Sequence, residues 1–589
     1  MRMFNAQDRH VVPGLALASR HSELCSTVHY LLCCLRLRDQ DRIGIGQLDA
    51  TPRLALNPLL PLHRILQMLS RVRAVVPQRS TLLPGVVGAL IVAIALFFSN
   101  PHFSLLEDET SIIDAAGAPL NRTIELFTTG AGQHEHPPLS DILLHFWLPV
   151  AGVNPSLVRL PSILFYAIAL LSFALAAQKL DGPTAFYATM LFGMVWPFGF
   201  HFGRLAGWYS FSLLLVGLLT LAYLYFLEKP SWARWLLVVS LSFAAIVSNY
   251  FCWAVVALIG LDMALTIRDR QAFRYLTAGL AILCLGFGPL WVTFTSEVRD
   301  NISLDAGHGI GGTILDGGFN LYALFISESV APWFWIASIP AGIAAVTALV
   351  CTLQLTHGRS RRVYLGFCLL FSVMAVVGII GTKRLLFISG WLLTAIGCAL
   401  ANRERPHLRA LLAGSLLVTT AVGWAGILAR KYYAAPHFIE PWASIAQTAA
   451  QQVGRGATVI SNSPSFLFYL NTALHDSGLQ SNDTPGWAKG PGVISLLQSD
   501  LPEPMPGRET LFVRGVNTSA TKRTSEAEEW LLSHCRLEST NRMIYDTGFE
   551  LKKRFFPLEI DDPYRVRIQQ FDCSSLEPVQ PSEHGSRRR

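Results

Sequence analysis

Leu83-Pro-Gly-Val-Val-Gly-Ala-Leu-Ile-Val-Ala-Ile-Ala-Leu-Phe-Phe-Ser99 carries no charged side chain, and eight residues beyond it comes Glu107-Asp108-Glu109. A second polar cluster, His134-Glu135-His136-Pro137-Pro138-Leu139, follows before the next apolar run. An uncharged stretch of this length reads as a membrane span, because about 20 apolar residues cross a hydrocarbon core of about 30 Å. Carboxylates and imidazoles gathered next to a bilayer are costly to keep there and point to function.

Composition agrees with a membrane reading throughout. Of 589 residues 51% are hydrophobic and 15% charged, with a mean hydropathy of +0.39; soluble chains run near ~25% charged. The fold class expected is a polytopic α-helical membrane protein. About eleven spans are expected, at 83–99, 158–178, 184–202, 205–227, 235–250, 252–267, 275–295, 331–354, 363–381, 384–401 and 408–428. The net charge of +7 is modest but unevenly placed. Lys179, Lys229 with Arg234, Arg268 with Arg270, Arg359 with Arg361 and Arg362, and Arg403 with Arg405 fall on one side of the predicted spans. By the positive-inside rule that side is cytoplasmic. The outer loop 100–157, the loop 296–330 and the tail then lie outside. The segment 139–151 is too short to span and is expected along the outer surface. The charge pattern argues for topology and says nothing about nucleic acid, which is not expected as a partner.

Three regions emerge. Residues 1–80 hold eleven arginines and no lysine, without a clear signal-peptide pattern, and read as a disordered cytoplasmic extension. Residues 81–430 form the membrane region. Residues 431–589 read as a soluble extracytoplasmic α/β domain, with helices near 441–453, 465–474 and 525–534 and strands at 457–461, 510–514 and 565–571. No glycine-rich phosphate loop occurs, so no nucleotide cofactor is indicated. Cys252, Cys284, Cys351, Cys368 and Cys398 lie in apolar runs as small core residues, whereas Cys535 and Cys573 are free to pair if the tail is outside.

Several residues could carry chemistry. Asp108 or Glu109, a few residues past a span, suits a general base that takes a proton from an attacking hydroxyl; a helix cap or solvated acid is the competing reading. Glu135 and His136, with His308 from Gly307-His308-Gly309, form a candidate set for a divalent metal ion. The spacing is not that of a zinc protease helix. Arg204, Lys383 and Arg384 are positive charges on the outer side, against the bias of the other loops, and suit an anionic lipid phosphate.

Taken in order, the acidic pair, His136-Pro137-Pro138-Leu139, Val158-Arg159-Leu160-Pro161-Ser162, and Arg204 followed by Trp208-Tyr209 resemble the GT-C superfamily of membrane glycosyltransferases. The closer resemblance is to bacterial relatives of dolichyl-phosphate-mannose protein mannosyltransferases (family 39), over roughly residues 80–430. The resemblance implies a GT-C fold and sugar transfer, with inversion, from a polyprenyl-phosphate donor to a hydroxyl of a glycan, lipid or protein. It implies Asp108 as base, Glu109 as a neighbour shaping the acceptor site, and Glu135 and His136 at metal- or donor-binding positions. Arg204 with Lys383 or Arg384 would hold the lipid phosphate. The bilayer would be the bacterial inner membrane, crossed many times, with the N-terminus cytoplasmic. A lipid-sugar flippase or transporter is the alternative, and a membrane-anchored binding protein working through its tail a third reading. A transporter would place ionisable residues at mid-membrane, where Asp262 is the one exception in a chain that concentrates its charge at one face.

Overall fold

The structure, a computed structural model, describes residues 79–100, 103–121, 137–266, 270–291, 295, 309–331, 334–377, 381–429, 441–479, 487–488, 492–497, 509–515, 521–544 and 564–574. Residues 1–76 lie outside that set.

The membrane region is helical. After α1 (Arg79–Ser99) come α2 (Glu107–Gly117), α3 (Leu139–Ala151) and the single turn α4 (Pro155–Val158). There follow α5 (Leu160–Asp181), α6 (Pro183–Val195), α7 (Pro197–Phe202), α8 (Trp208–Glu228), α9 (Trp232–Ser248), α10 (Cys252–Thr266) and α11 (Arg270–Phe287). The set closes with α12 (Gly309–Ile326), α13 (Trp335–Leu355), α14 (Gly358–Val376), α15 (Leu386–Ala401) and α16 (Pro406–Leu428). Among the described residues, six helices are long and apolar enough to cross a membrane, and five shorter apolar helices accompany them. α6 shows why some are short. Pro197 cannot continue the helix, and Trp196 before it is extended (φ −73°, ψ 115°). Thirteen residues rise about 20 Å, less than a bilayer core.

Helix contact in a membrane relies on close packing, which small residues permit. On α15, a Cβ at Gly390 would meet the Phe173 ring of α5 at 2.1 Å, and one at Gly397 would meet Thr189 of α6 at 1.9 Å. α15 is accordingly enclosed along nearly its whole length. Asp262 is not an isolated mid-membrane charge. It lies near the end of α10, where Tyr223 donates to it at 2.6 Å and Arg362, from the basic start of α14, at 2.5 Å.

One segment departs from expectation. Residues 296–330 read as a loop, yet α12 begins at Gly309 and its later residues Ala323, Leu324, Phe325 and Ile326 are buried. Tertiary packing there overrides the low helix propensity of glycine.

The tail is a five-stranded sheet, order β2-β1-β3-β5-β4, of β1 (Thr458–Ser461), β2 (Val493–Ser495), β3 (Glu509–Arg514), β4 (Arg536–Ile544) and β5 (Tyr564–Asp572). β1 runs parallel to β2 and β3, while β5 is antiparallel to β3 and β4. Helices α17 (Trp442–Gly454) and α18 (Pro464–Asp476) share one core with Val459, Leu511 and Val513; α19 (Thr521–His534) shares the other with Ile460, Phe512 and Phe571. Alternate strand residues thus feed two cores, as strands covered on both faces require. Strands β2 and β4 were not anticipated: one is three residues long, and the other, Arg-Leu-Glu-Ser-Thr-Asn-Arg-Met-Ile, has the polar make-up of an edge strand.

Cys535 and Cys573 are bonded, just past the Arg536–Asp572 pair that ends the β4–β5 ladder, with Cα atoms 4.5 Å apart. The bridge closes a loop of 38 residues, for which chain entropy predicts stabilisation of about 2–4 kcal/mol. Replacing both cysteines by serine is therefore expected to leave the tail more readily cleaved by trypsin at 37 °C. Equal resistance in the variant and the parent would argue against a bridge in the cell.

Candidate active site

Two acidic neighbours in the first turn of α2 have different surroundings. Successive helical residues point about 100° apart, so Glu109 turns inward and Asp108 outward. Glu109 is fully buried. Its Oε1 accepts from Arg159 Nε at 2.8 Å and the Ala206 amide at 2.7 Å. Its Oε2 accepts from Arg159 Nη2 at 2.5 Å and the Leu106 amide at 2.9 Å. Arg159, also fully buried, donates further to the carbonyls of Phe103 at 2.9 Å and Ser104 at 2.8 Å. This two-pronged ion pair ties the entry to α2, the start of α5 and the turn before α8 into one joint.

Gly207 completes that joint. Its φ of +126° lies in a region L side chains avoid, and a Cβ there would meet Ile112 of α2 at 2.9 Å. The turn then brings Trp208-Tyr209 in at the start of α8.

Asp108, by contrast, keeps 46% of its side chain exposed. It forms an ion pair with Lys383, in the 3₁₀ turn Lys383–Leu385 that leads into α15, and accepts a hydrogen bond from the Tyr209 hydroxyl at 3.3 Å. The next residue, Arg384, lies half-buried with its guanidinium 5.9 Å from the Phe251 ring. The sequence-predicted base and one predicted phosphate ligand are thus in contact. Arg204 is placed differently. It is fully buried, 3.9 Å from the Phe103 ring and 4.6 Å from that of Phe200, and donates to Ser99 Oγ at 3.3 Å and the His201 carbonyl at 3.4 Å. Its cation is fixed between aromatic faces rather than presented at the surface.

Asp141 in the first turn of α3 is buried, with Ser140 donating to it at 3.2 Å. Burial pushes its carboxyl up to about 7. His145, one turn on, donates from Nδ1 to the Ala116 carbonyl at 2.7 Å. Glu135, His136 and His308 lie outside the described residues, and among the described residues no group of three or more His, Cys, Asp or Glu is gathered to hold a metal ion.

In the sequence, Arg159 and Tyr209 stand out only within longer motifs, and no motif marks Tyr469 of α18, whose hydroxyl accepts from the Leu105 amide at 3.1 Å. The missed signal was the aromatic run Phe466-Leu-Phe-Tyr469 in a tail expected to stand alone.

No protein-family model and no curated protein matches the chain. Among solved structures it is similar to ArnT from Cupriavidus metallidurans in the apo state, at 12% identity and a TM-score of 0.46, over 83% of this chain and 98% of that one. The same enzyme bound to undecaprenyl phosphate aligns over 82% and 97% at 12% identity, with a TM-score of 0.31. An Archaeoglobus fulgidus oligosaccharyltransferase in complex with zinc and sulfate aligns over 66% and 61% at 11% identity, with a TM-score of 0.36. At this depth no residue role passes from those proteins to this chain, and the site stands on its own geometry.

Proposed function

We propose that this chain is an integral membrane glycosyltransferase of the GT-C type. It transfers a sugar from a polyprenyl-phosphate donor to an acceptor hydroxyl at the outer face, with inversion. The observation that carries the reading is the Asp108–Lys383 contact, a half-exposed carboxylate paired with an ammonium from a distant helix start.

In the reaction, Asp108 takes the proton of the acceptor hydroxyl as that oxygen bonds to the anomeric carbon. The bond from that carbon to the phosphate oxygen breaks, and the lipid phosphate leaves with the electron pair. Lys383 and Arg384 meet its charge, while Arg204 adds a fixed positive charge from its aromatic slot. Before donor binding, Lys383 satisfies Asp108 and makes it a poor base. An arriving phosphate competes for the ammonium, and Lys383 drawn towards it leaves the carboxylate more basic as the hydroxyl attacks. Tyr209 donates to Oδ2 and thereby orients the carboxylate. Glu109 serves as the anchor of α2. Glu135, His136 and His308 are the proposed ligands of a divalent ion, and no step above is routed through one. The disulfide supports an oxidising, extracytoplasmic side for the tail, with the basic helix ends cytoplasmic and the bacterial inner membrane as the location.

The test is transfer from a panel of radiolabelled polyprenyl-phosphate sugars by membranes containing the protein. Lys383→Ala is expected to lower kcat/KM about 10²- to 10³-fold, in keeping with loss of one charge-stabilising contact. Absence of transfer from every donor by the unmodified protein would defeat the reading and leave the flippase as the one to pursue.

A further inference from the structure

Helix α18, Pro464-Ser-Phe-Leu-Phe-Tyr-Leu-Asn-Thr-Ala-Leu-His-Asp476, is apolar nearly all round its first two turns. Such a helix must be covered on more than one side. Phe466, Leu470, Ala473 and Leu474 pack into the tail's own sheet. Phe468 turns the other way and is fully buried among Leu105, Ile113, Leu144, Leu148 and Ala206, all residues of the outer segment and the turn before α8. Along the same face, the Thr472 hydroxyl donates to the Val153 carbonyl at 3.2 Å. A second contact comes from the Trp487 amide, which donates to Asp114 of α2 at 3.4 Å.

The polar contact nearest the site is that of Tyr469. The four residues leading into α2 are held at successive backbone groups. Arg159 takes the carbonyls of Phe103 and Ser104, Tyr469 receives the Leu105 amide, and Glu109 receives the Leu106 amide. Three of these four holds come from the membrane region and one from the tail. Burial keeps the Tyr469 phenol above its usual range, so it remains a neutral partner.

We propose that the C-terminal domain is part of the frame of the active site, with Tyr469 and Phe468 as positioning residues that fix the entry to α2 and so the direction in which Asp108 faces Lys383 and Tyr209. The proposal rests on Asp108 as base. Docking of the tail then controls the chemical step without touching donor or acceptor.

The experiment compares donor-saturation kinetics and pH–rate profiles of the full chain in membranes for the parent, Tyr469→Phe, Phe468→Ala and Phe468→Leu, with Asp108→Asn as reference. Tyr469→Phe and Phe468→Ala are expected to lower kcat about 10- to 100-fold, as small misplacements of a reacting group do, with the donor KM unchanged. Phe468→Leu, which refills the pocket, should recover most of the rate. Full kcat in Tyr469→Phe and Phe468→Ala, with only the thermal midpoint lowered, would reduce the contact to a structural one and overturn the proposal while leaving the base reading intact. Full transfer by Asp108→Asn, or none by the parent, would remove the base reading and the proposal with it.

Discussion

Asp108→Asn is expected to depress sugar transfer by about 10²- to 10⁴-fold, the range over which general-base assistance acts, with the protein still inserted and folded. Folding should survive because the ion pair it loses, with Lys383, is partly exposed at both partners, and such pairs contribute about 0–1 kcal/mol. Asparagine keeps the size of the side chain and still accepts a hydrogen bond from Tyr209. What it loses is the capacity to take a proton from the acceptor. Transfer assays on membranes with matched protein content separate the two effects. Activity within threefold of the parent would move the base to Glu107, the remaining acid of the cluster, because Glu109 has both oxygens committed to Arg159 and to the amides of Leu106 and Ala206.

That division of labour between two adjacent acids was not legible in the sequence. Helical geometry says that Asp108 and Glu109 point apart, but not which one points inward. The answer depends on Arg159 and Ala206, 50 and 97 residues further on. Lys383 was more visible. A basic residue on the side expected to be outer breaks a charge rule that the other loops obey, and this, together with the family resemblance, marks it in the sequence. Arg204 drew notice for the same reason, yet its burial between Phe103 and Phe200 depends on a turn that no local pattern encodes. In the tail, helix α18 and strands β1, β3 and β5 follow apolar periodicity closely. The edge strand β4 escaped because its side chains are mostly polar, and periodicity reports burial rather than pairing. The apolar girth of α18 is visible in the sequence as Phe466-Leu-Phe-Tyr469, and it signals a second docking partner only once the sheet covers one face.

Breaking the Glu109–Arg159 pair is expected to be the most damaging change to the folded protein. Removing one member of a buried ion pair leaves an uncompensated charge, at a cost of about 3–5 kcal/mol, against total stabilities of about 5–15 kcal/mol. Arg159→Lys should not rescue, since a lysine offers no flat fork to reach Glu109 and the carbonyls of Phe103 and Ser104 together. Glu109→Gln is just as unfavourable. Each Glu109 oxygen accepts two N–H groups, so whichever way the amide turns, its NH₂ faces donors. A paired apolar replacement, Glu109→Leu with Arg159→Met, removes both charges, yet it strands the amides of Leu106 and Ala206 and the two carbonyls. It is therefore expected to be no more stable than the single variants, unlike buried pairs whose apolar substitutes improve stability. Thermal midpoints of the detergent-solubilised protein, read by fluorescence-detected size exclusion, distinguish the cases. Single variants that melt with the parent would show that the pair is not what holds α2. A paired variant more stable than the parent would show that its charges, rather than its hydrogen bonds to the backbone, dominate the joint.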